Sequence, residues 1–158
     1  MSKVKVIGSV FQGARRDGDF GWMLEQEQYA KAFFVFNDNQ SQFEAYQNNP
    51  DATDGAGCAP GGGNGAIRPY QCQKPPRAGG IPTGDYGIEN GPGYPALSAE
   101  VKSVIDAAVA FIGGVVEENG YTTLYYSSDG KGGLGHGIFN PAEDVKAYIV
   151  EQIESLGS

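Results

Sequence analysis

Three clusters in this 158-residue chain carry residue types and spacings that chemistry uses. The first is Gly61-Gly62-Gly63-Asn64-Gly65-Ala66-Ile67. Residues without a Cβ let the backbone turn so that successive N–H groups converge on one concavity, which suits an anion such as phosphate. A helix beginning near Asn64 would add its positive N-terminal end. A plain surface turn of small residues is the alternative. Arg68 and Arg77 follow closely and could pair with a phosphate bidentately, or only solvate the segment.

The second cluster is Asn37-Asp38-Asn39, at the end of the apolar run Phe33-Phe34-Val35-Phe36. Its amides can hydrogen-bond sugar hydroxyls or orient a water, and Asp38 could serve as a base. A turn whose short side chains satisfy the backbone is the competing reading. Ser127-Ser128-Asp129 repeats the theme after a second strand.

The third cluster runs from Gly130 to Gly137. Gly130-Lys131-Gly132-Gly133-Leu134-Gly135 matches the G-x-G-x-x-G pattern in form, but the next helix is expected to be capped only at Asn140. A Rossmann reading is therefore rejected, and the loop stays as a second phosphate or ribose contact or as a simple connection. His136 is the sole histidine, so His-based metal clusters and Ser-His-Asp arrangements lack parts. Cys58 and Cys72 lack the neighbouring histidines that a zinc site would need. No metal and no cofactor is expected.

Charge narrows the partners. Eleven basic against 19 acidic residues leave a net charge of −8, which disfavours a nucleic-acid polymer. Against that background, the segment from Gly55 to Gly84 holds nine glycines and no Asp or Glu. A long structureless loop inside a compact domain is usually functional. The longest apolar run, Ala107 to Ile112, is far too short to span a membrane. The N-terminus shows no secretory leader, so the expected compartment is cytoplasmic. A disulfide between Cys58 and Cys72 is an option, but free thiols are expected there.

The elements that must position these clusters follow from periodicity. Val4 to Val10 and Tyr121 to Tyr126 read as strands, and Phe33 to Phe36 as a buried one. Mixed helical signals run from Asp19 to Lys31, and a short helix is expected over 41–47. Ser98 should cap a helix whose stripe is Val101, Val104, Ile105, Ala108 and Ile112, ended at Gly113-Gly114 or at Asn119-Gly120. Asn140, Pro141 and Glu143 resemble a capping box for a last helix with Val145, Tyr148, Ile149, Ile153 and Leu156 inward. Strands alternating with helices predict one α/β layered domain over 1–158, with a mixed, largely parallel sheet flanked by helices and a Gly/Pro-rich insertion at about 55–95. Ligands in such folds bind beyond the carboxyl ends of the strands.

Taken in order, FVFNDN, GGGNGAI and GLGHGIF-NP resemble the macrodomain, the α/β module that binds ADP-ribose. That family has a strand ending in an asparagine-containing turn, a G-G-G-x-x-G-x-I loop, and a later G-x-G-[IV]-[FY] loop leading into the last helix. The match covers about Phe33 to Ile67 and Val101 to Ile153. It implies that Asn37 and Asn39 approach the distal ribose and that Gly61, Gly62, Gly63, Asn64 and Gly65 wrap the distal phosphate. It further implies that Gly135, His136 and Gly137 cradle the diphosphate, with Phe139 against a ribose or adenine and Ile138 also in the binding set. Gly8-Ser9 lacks the aspartate that often follows the family's first strand, and the segment from Arg68 to Pro95 has no counterpart in it.

The expectation is a protein that binds, and could sequester, a small phosphorylated nucleotide such as ADP-ribose or an NAD-derived signal. Its contacts would come from Asn37, Asn39, the two glycine loops, Arg68, Arg77 and Ser127. One alternative is an ADP-ribosyl or cyclic-phosphate hydrolase in which Asp38 or His136 assists a water held by Asn37 or Asn39. Another is a non-catalytic interaction domain. No membrane partner is expected, and homo-oligomerisation stays open.

Overall fold

Seven successive residues that are all apolar except at the end suit a strand buried on both faces. The computed structural model, which describes residues 4–86, 93–135 and 139–157 (Gly63 and Asn64 by backbone alone), puts that strand inside the sheet. It is β2, Ala32–Asp38, preceded by β1, Lys5–Ser9, and by the short helix α1, Phe20–Leu24. After β2 come α2, Gln40–Asn48, a 3-10 stretch, Gly63–Cys72, and β3, Ala78–Pro82. The chain closes with α3, Ala99–Asn119, β4, Thr123–Ser127, and α4, Glu143–Glu154.

The four strands form one sheet in the order β1-β4-β2-β3, and every pairing between them is parallel. Parallel neighbours require crossovers, and the helices supply them on both faces. Phe33, Val35, Leu124, Tyr126 and Ile81 face α3 and α4 in the larger core, while Phe34, Phe36 and Ala78 face α1 and Ile67 of the 3-10 stretch. This is a layered α/β domain. Each fully buried Phe or Ile contributes about 1.5–3 kcal/mol.

Local signals set most boundaries. The Ser98 hydroxyl accepts from Val101 N–H at 3.2 Å, and α3 runs through Gly113-Gly114 to a left-handed Gly120 at φ 67°. Nothing punishes Gly114 in mid-helix except its entropy, whereas Gly120 terminates the helix without a Cβ penalty. α4 departs from expectation. Its cap is Ala142, not Asn140, and no side chain caps it. Tertiary contacts hold residues 140–142 out of the helix: Ala142 N–H donates to Tyr94 O at 2.9 Å, and Gly93 packs directly on the Asn140 carbonyl.

The Gly/Pro-rich segment is not a structureless loop. It contains the 3-10 stretch and β3, an edge strand buried along its whole length. A Cβ on Gly79 would lie 2.9 Å from Ile112 Cγ1, and one on Gly80 would lie 2.5 Å from Asp38 Oδ2. Glycine is therefore what lets α3 and Asp38 close on the two faces of β3. Cys58 and Cys72 are also not free thiols but form a disulfide, with their Cα atoms 5.8 Å apart. The folded segment brings them together from the two ends of one loop. Among the described residues, no helix is long and apolar enough to cross a membrane.

Candidate functional site

β2 and β4 are adjacent and parallel, so their carboxyl ends present Asn37 and Ser127 on the same edge of the sheet. Asn37 Nδ2 donates to Gly135 O at 2.8 Å, across 98 residues of chain. Gly135 N–H in turn donates to Ser127 O at 2.9 Å. A Cβ on Gly135 would fall 2.9 Å from Ser127 Oγ and 3.0 Å from Ser128 O, so only glycine fits this crossing. Gly65 also comes close to Asn37, since its absent Cβ would sit 3.9 Å from Asn37 O. Asn37 is thus approached by both glycine segments that the sequence singles out.

The glycine turn itself is closed by its own backbone. Gly61 N–H donates to Gly65 O and Gly65 N–H to Gly62 O, both at 3.0 Å. These two amides are taken up within the turn and do not converge on an external anion, which corrects that part of the sequence reading. Gly62 stands at the N-terminal end of the 3-10 stretch and brings no capping side chain. The first N–H groups of a helical stretch lack intrahelical acceptors.

Arg68 also differs from expectation. Its side chain is buried, and its Nη2 lies 2.7 Å from Asp38 Oδ1, with Nε at 3.2 Å and Nη1 donating to Ala59 O at 2.8 Å. The missing Cβ of Gly61 leaves room for it, since that atom would lie 3.0 Å from Arg68 Nη1. The glycine-rich turn therefore encloses a guanidinium, and the anion paired with it is Asp38. Arg77 is likewise structural: Nη2 donates to Tyr29 O at 2.9 Å and Nε to Ala32 O at 3.3 Å. Both forked donors are met inside the protein, Arg68 by the Asp38 carboxylate and Ala59 O and Arg77 by two backbone carbonyls.

Asp38 is 2% exposed, and its Oδ2 is a buried oxygen without a hydrogen-bond partner among the described residues. Burial pushes its pKa above the ordinary carboxylate value, while the Arg68 guanidinium and the Asn39 N–H oppose that rise. Arg68 pairs with its Oδ1, and burial keeps the carboxylate out of bulk solvent. Asn39 behaves as a helix cap: its Oδ1 accepts from Gln42 N–H at 2.8 Å, and its Nδ2 donates to Gln42 Oε1 at 2.6 Å.

The loop after β4 is organised around Asp129. Its Oδ1 accepts from Lys131 N–H at 2.7 Å and Gly133 N–H at 3.0 Å, and these bonds hold its pKa below the usual value. The loop's amides at those positions serve a carboxylate of the chain. An open cleft of about 400 Å³ between this loop and α4 is lined by Lys131, Lys146, Glu143 and Glu151. It carries both signs of charge and does not reach Asn37.

Of the aromatic residues that flank the glycine segments, Tyr94 is buried and donates to Gln40 Oε1 at 2.7 Å; burial, then nearby carboxylates, raise its pKa and keep it protonated. Tyr86 is 70% exposed, and its ring meets that of Phe139 edge-on at 5.1 Å. Asp85, beside it, accepts from the Ser41 hydroxyl in the first turn of α2. His136, Gly137 and Ile138 lie outside the described residues, as does the Asn64 side chain.

Two structural residues at the site left no trace in the sequence pattern. Gln71 is buried, donates to Gly57 O at 3.0 Å and accepts from Gly80 N–H at 3.2 Å, tying the 3-10 stretch to β3. Thr83 caps the end of β2 by donating its hydroxyl to Asp38 O at 3.2 Å. A glutamine in a Gly/Pro-rich run has no periodicity to mark it. Comparisons with protein-family models, with curated proteins and with solved structures find no match to the chain.

Proposed function

We propose that the crevice at the carboxyl ends of β2 and β4 binds a small phosphorylated nucleotide such as ADP-ribose or an NAD-derived signal. The observation that carries this reading is the position of Asn37, which lies close to Gly65 and bonds to Gly135. Two glycine segments far apart in sequence approach the same residue at the edge where open parallel sheets take ligands. The resemblance to the macrodomain supports the same ligand class. In this reading the phosphates are met by main-chain donors at the start of the 3-10 stretch, whose first N–H groups have no acceptor within it. Ser127 Oγ adds a hydroxyl, and Tyr86 with Phe139 supplies apolar surface at the rim. Arg68 and Arg77 take no part in ligand contact.

Capture is favoured over hydrolysis, because Asp38 is buried and paired with Arg68 and Asn39 is occupied by Gln42. A cytoplasmic compartment has weaker support, since the Cys58–Cys72 bridge is of a kind that cytosolic reductants keep open. The test is thermal unfolding with ADP-ribose, NAD and cyclic nucleotides, followed by mass spectrometry of the recovered ligand. Ligand at about 100 times Kd should add roughly 2.7 kcal/mol of stability. Recovery of intact ligand supports capture, whereas no shift with any of these nucleotides overturns the reading.

A further inference from the structure

The Cys58–Cys72 disulfide closes a loop of sequence separation 14, and the glycine turn is the tip of that loop. At the bridge and beyond it the two strands of chain are laced together. Gln71 Nε2 donates to Gly57 O at 3.0 Å, Arg68 Nη1 to Ala59 O at 2.8 Å, and Gly61 N–H to Gly65 O at 3.0 Å. The base is fixed to α2: both cysteines pack on Tyr46, whose hydroxyl donates to Gln71 O at 3.1 Å. Gly57 runs so close to α2 that a Cβ there would lie 2.8 Å from the Tyr46 backbone. At the other end, Gly65 reaches Asn37.

We infer that this disulfide is a redox-controlled clamp that sets the order of the Gly61–Gly65 turn and, through it, the affinity of the site for a phosphorylated nucleotide. The inference rests on the nucleotide-binding reading given above. A cross-link removes open conformations of the loop it closes, so its loss falls on that loop first. A glycine-rich tip has the most conformational freedom to regain. The reaction is thiol–disulfide exchange with a dithiol reductant. The Sγ–Sγ bond of Cys58 and Cys72 breaks, two thiols form with the dithiol's two protons and two electrons, and the dithiol closes into its own disulfide. Both cysteines are buried, at 7% and 8% exposed, so the reductant acts when the base of the loop opens.

The experiment is hydrogen–deuterium exchange on the full chain, oxidised and after dithiothreitol, repeated on a variant carrying Cys58→Ser and Cys72→Ser. This readout needs no ligand, and the variant needs no reductant access. Amides of residues 59–66 should exchange at least tenfold faster in the reduced chain and in the variant, with β2 and β4 unchanged. Titration with ADP-ribose should then give a Kd at least tenfold weaker in both. Unchanged exchange in the turn overturns the clamp, and so does loss of protection across β2 and β4, because the effect would then be global. Faster exchange with an unchanged Kd overturns the control of the site. Faster exchange with no ADP-ribose binding in the oxidised chain upholds the clamp and overturns the nucleotide reading together with its regulation.

Discussion

Arg68 lies 2.7 Å from Asp38 with both side chains buried, so a charge in the glycine-rich stretch is matched by one at the end of the central strand β2. The pair joins the 3-10 stretch to the sheet next to Asn37 at the end of β2. A buried pair is costly to break, because the partner left behind keeps its desolvation penalty. Arg68→Met is expected to lower unfolding stability by about 3–5 kcal/mol, read by urea denaturation. Adding Asp38→Asn should recover part of that loss by removing the uncompensated carboxylate. A single Arg68→Met change within about 0.5 kcal/mol of the parent would show that the pair contributes little.

Two glycines should respond with opposite signs. A Cβ at position 80 would press on Asp38 Oδ2 and Phe36, so Gly80→Ala should destabilise by about 1–3 kcal/mol. Gly114 sits mid-helix in α3 with nothing within 4 Å of its missing Cβ, so Gly114→Ala should stabilise by about 0.5–1 kcal/mol. Thermal melts of the two variants decide the matter by the direction of each Tm shift.

Binding is expected to depend on the crossing at Gly135. Gly135→Ala would bring a methyl group 2.9 Å from Ser127 Oγ and push the loop away from Asn37. The nucleotide-induced rise in Tm should fall by more than half, while the ligand-free Tm drops by only a few degrees. Asn37→Ala should act in the same direction by releasing Gly135 O. An undiminished ligand response in both variants would place the site elsewhere.

Asp129 gives a pH signature. Its folded pKa is depressed by the N–H groups of Lys131 and Gly133, so the order it confers on the loop is fully present above the unfolded value near 3.8. That order is lost as pH falls through the lower folded value. In an NMR titration the amides of Lys131 and Gly133 should move together with a midpoint below 3.8. Asp129→Asn should abolish that titration, and a midpoint above 3.8 would contradict the assignment.

Much of the candidate site was legible as positions but not as roles. Asn37 and Gly135 were marked by a strand running into a polar turn and by a glycine loop, and the structure joins them through one hydrogen bond. Arg68 carried the same sequence signal whether it met a ligand's phosphate or Asp38. A guanidinium takes whichever anion the fold delivers, and Asp38 is 30 residues away. Asn39 likewise could bind a ligand or cap a helix, and its choice follows from α2 starting at Gln40.

Sequence alone determined those features that burial imprints locally. The apolar run of β2, the stripe of α3 and its Ser98 cap all follow from side chains a few residues apart, so period and hydrogen-bonding type suffice to read them. Tertiary structure alone decided that β3 lies within a glycine run, that α4 starts at Glu143 and that Cys58 meets Cys72. Glycine has no side chain to display burial. The other two outcomes depend on which distant segments become neighbours, and that is fixed only when the crossovers stack the strands as β1-β4-β2-β3.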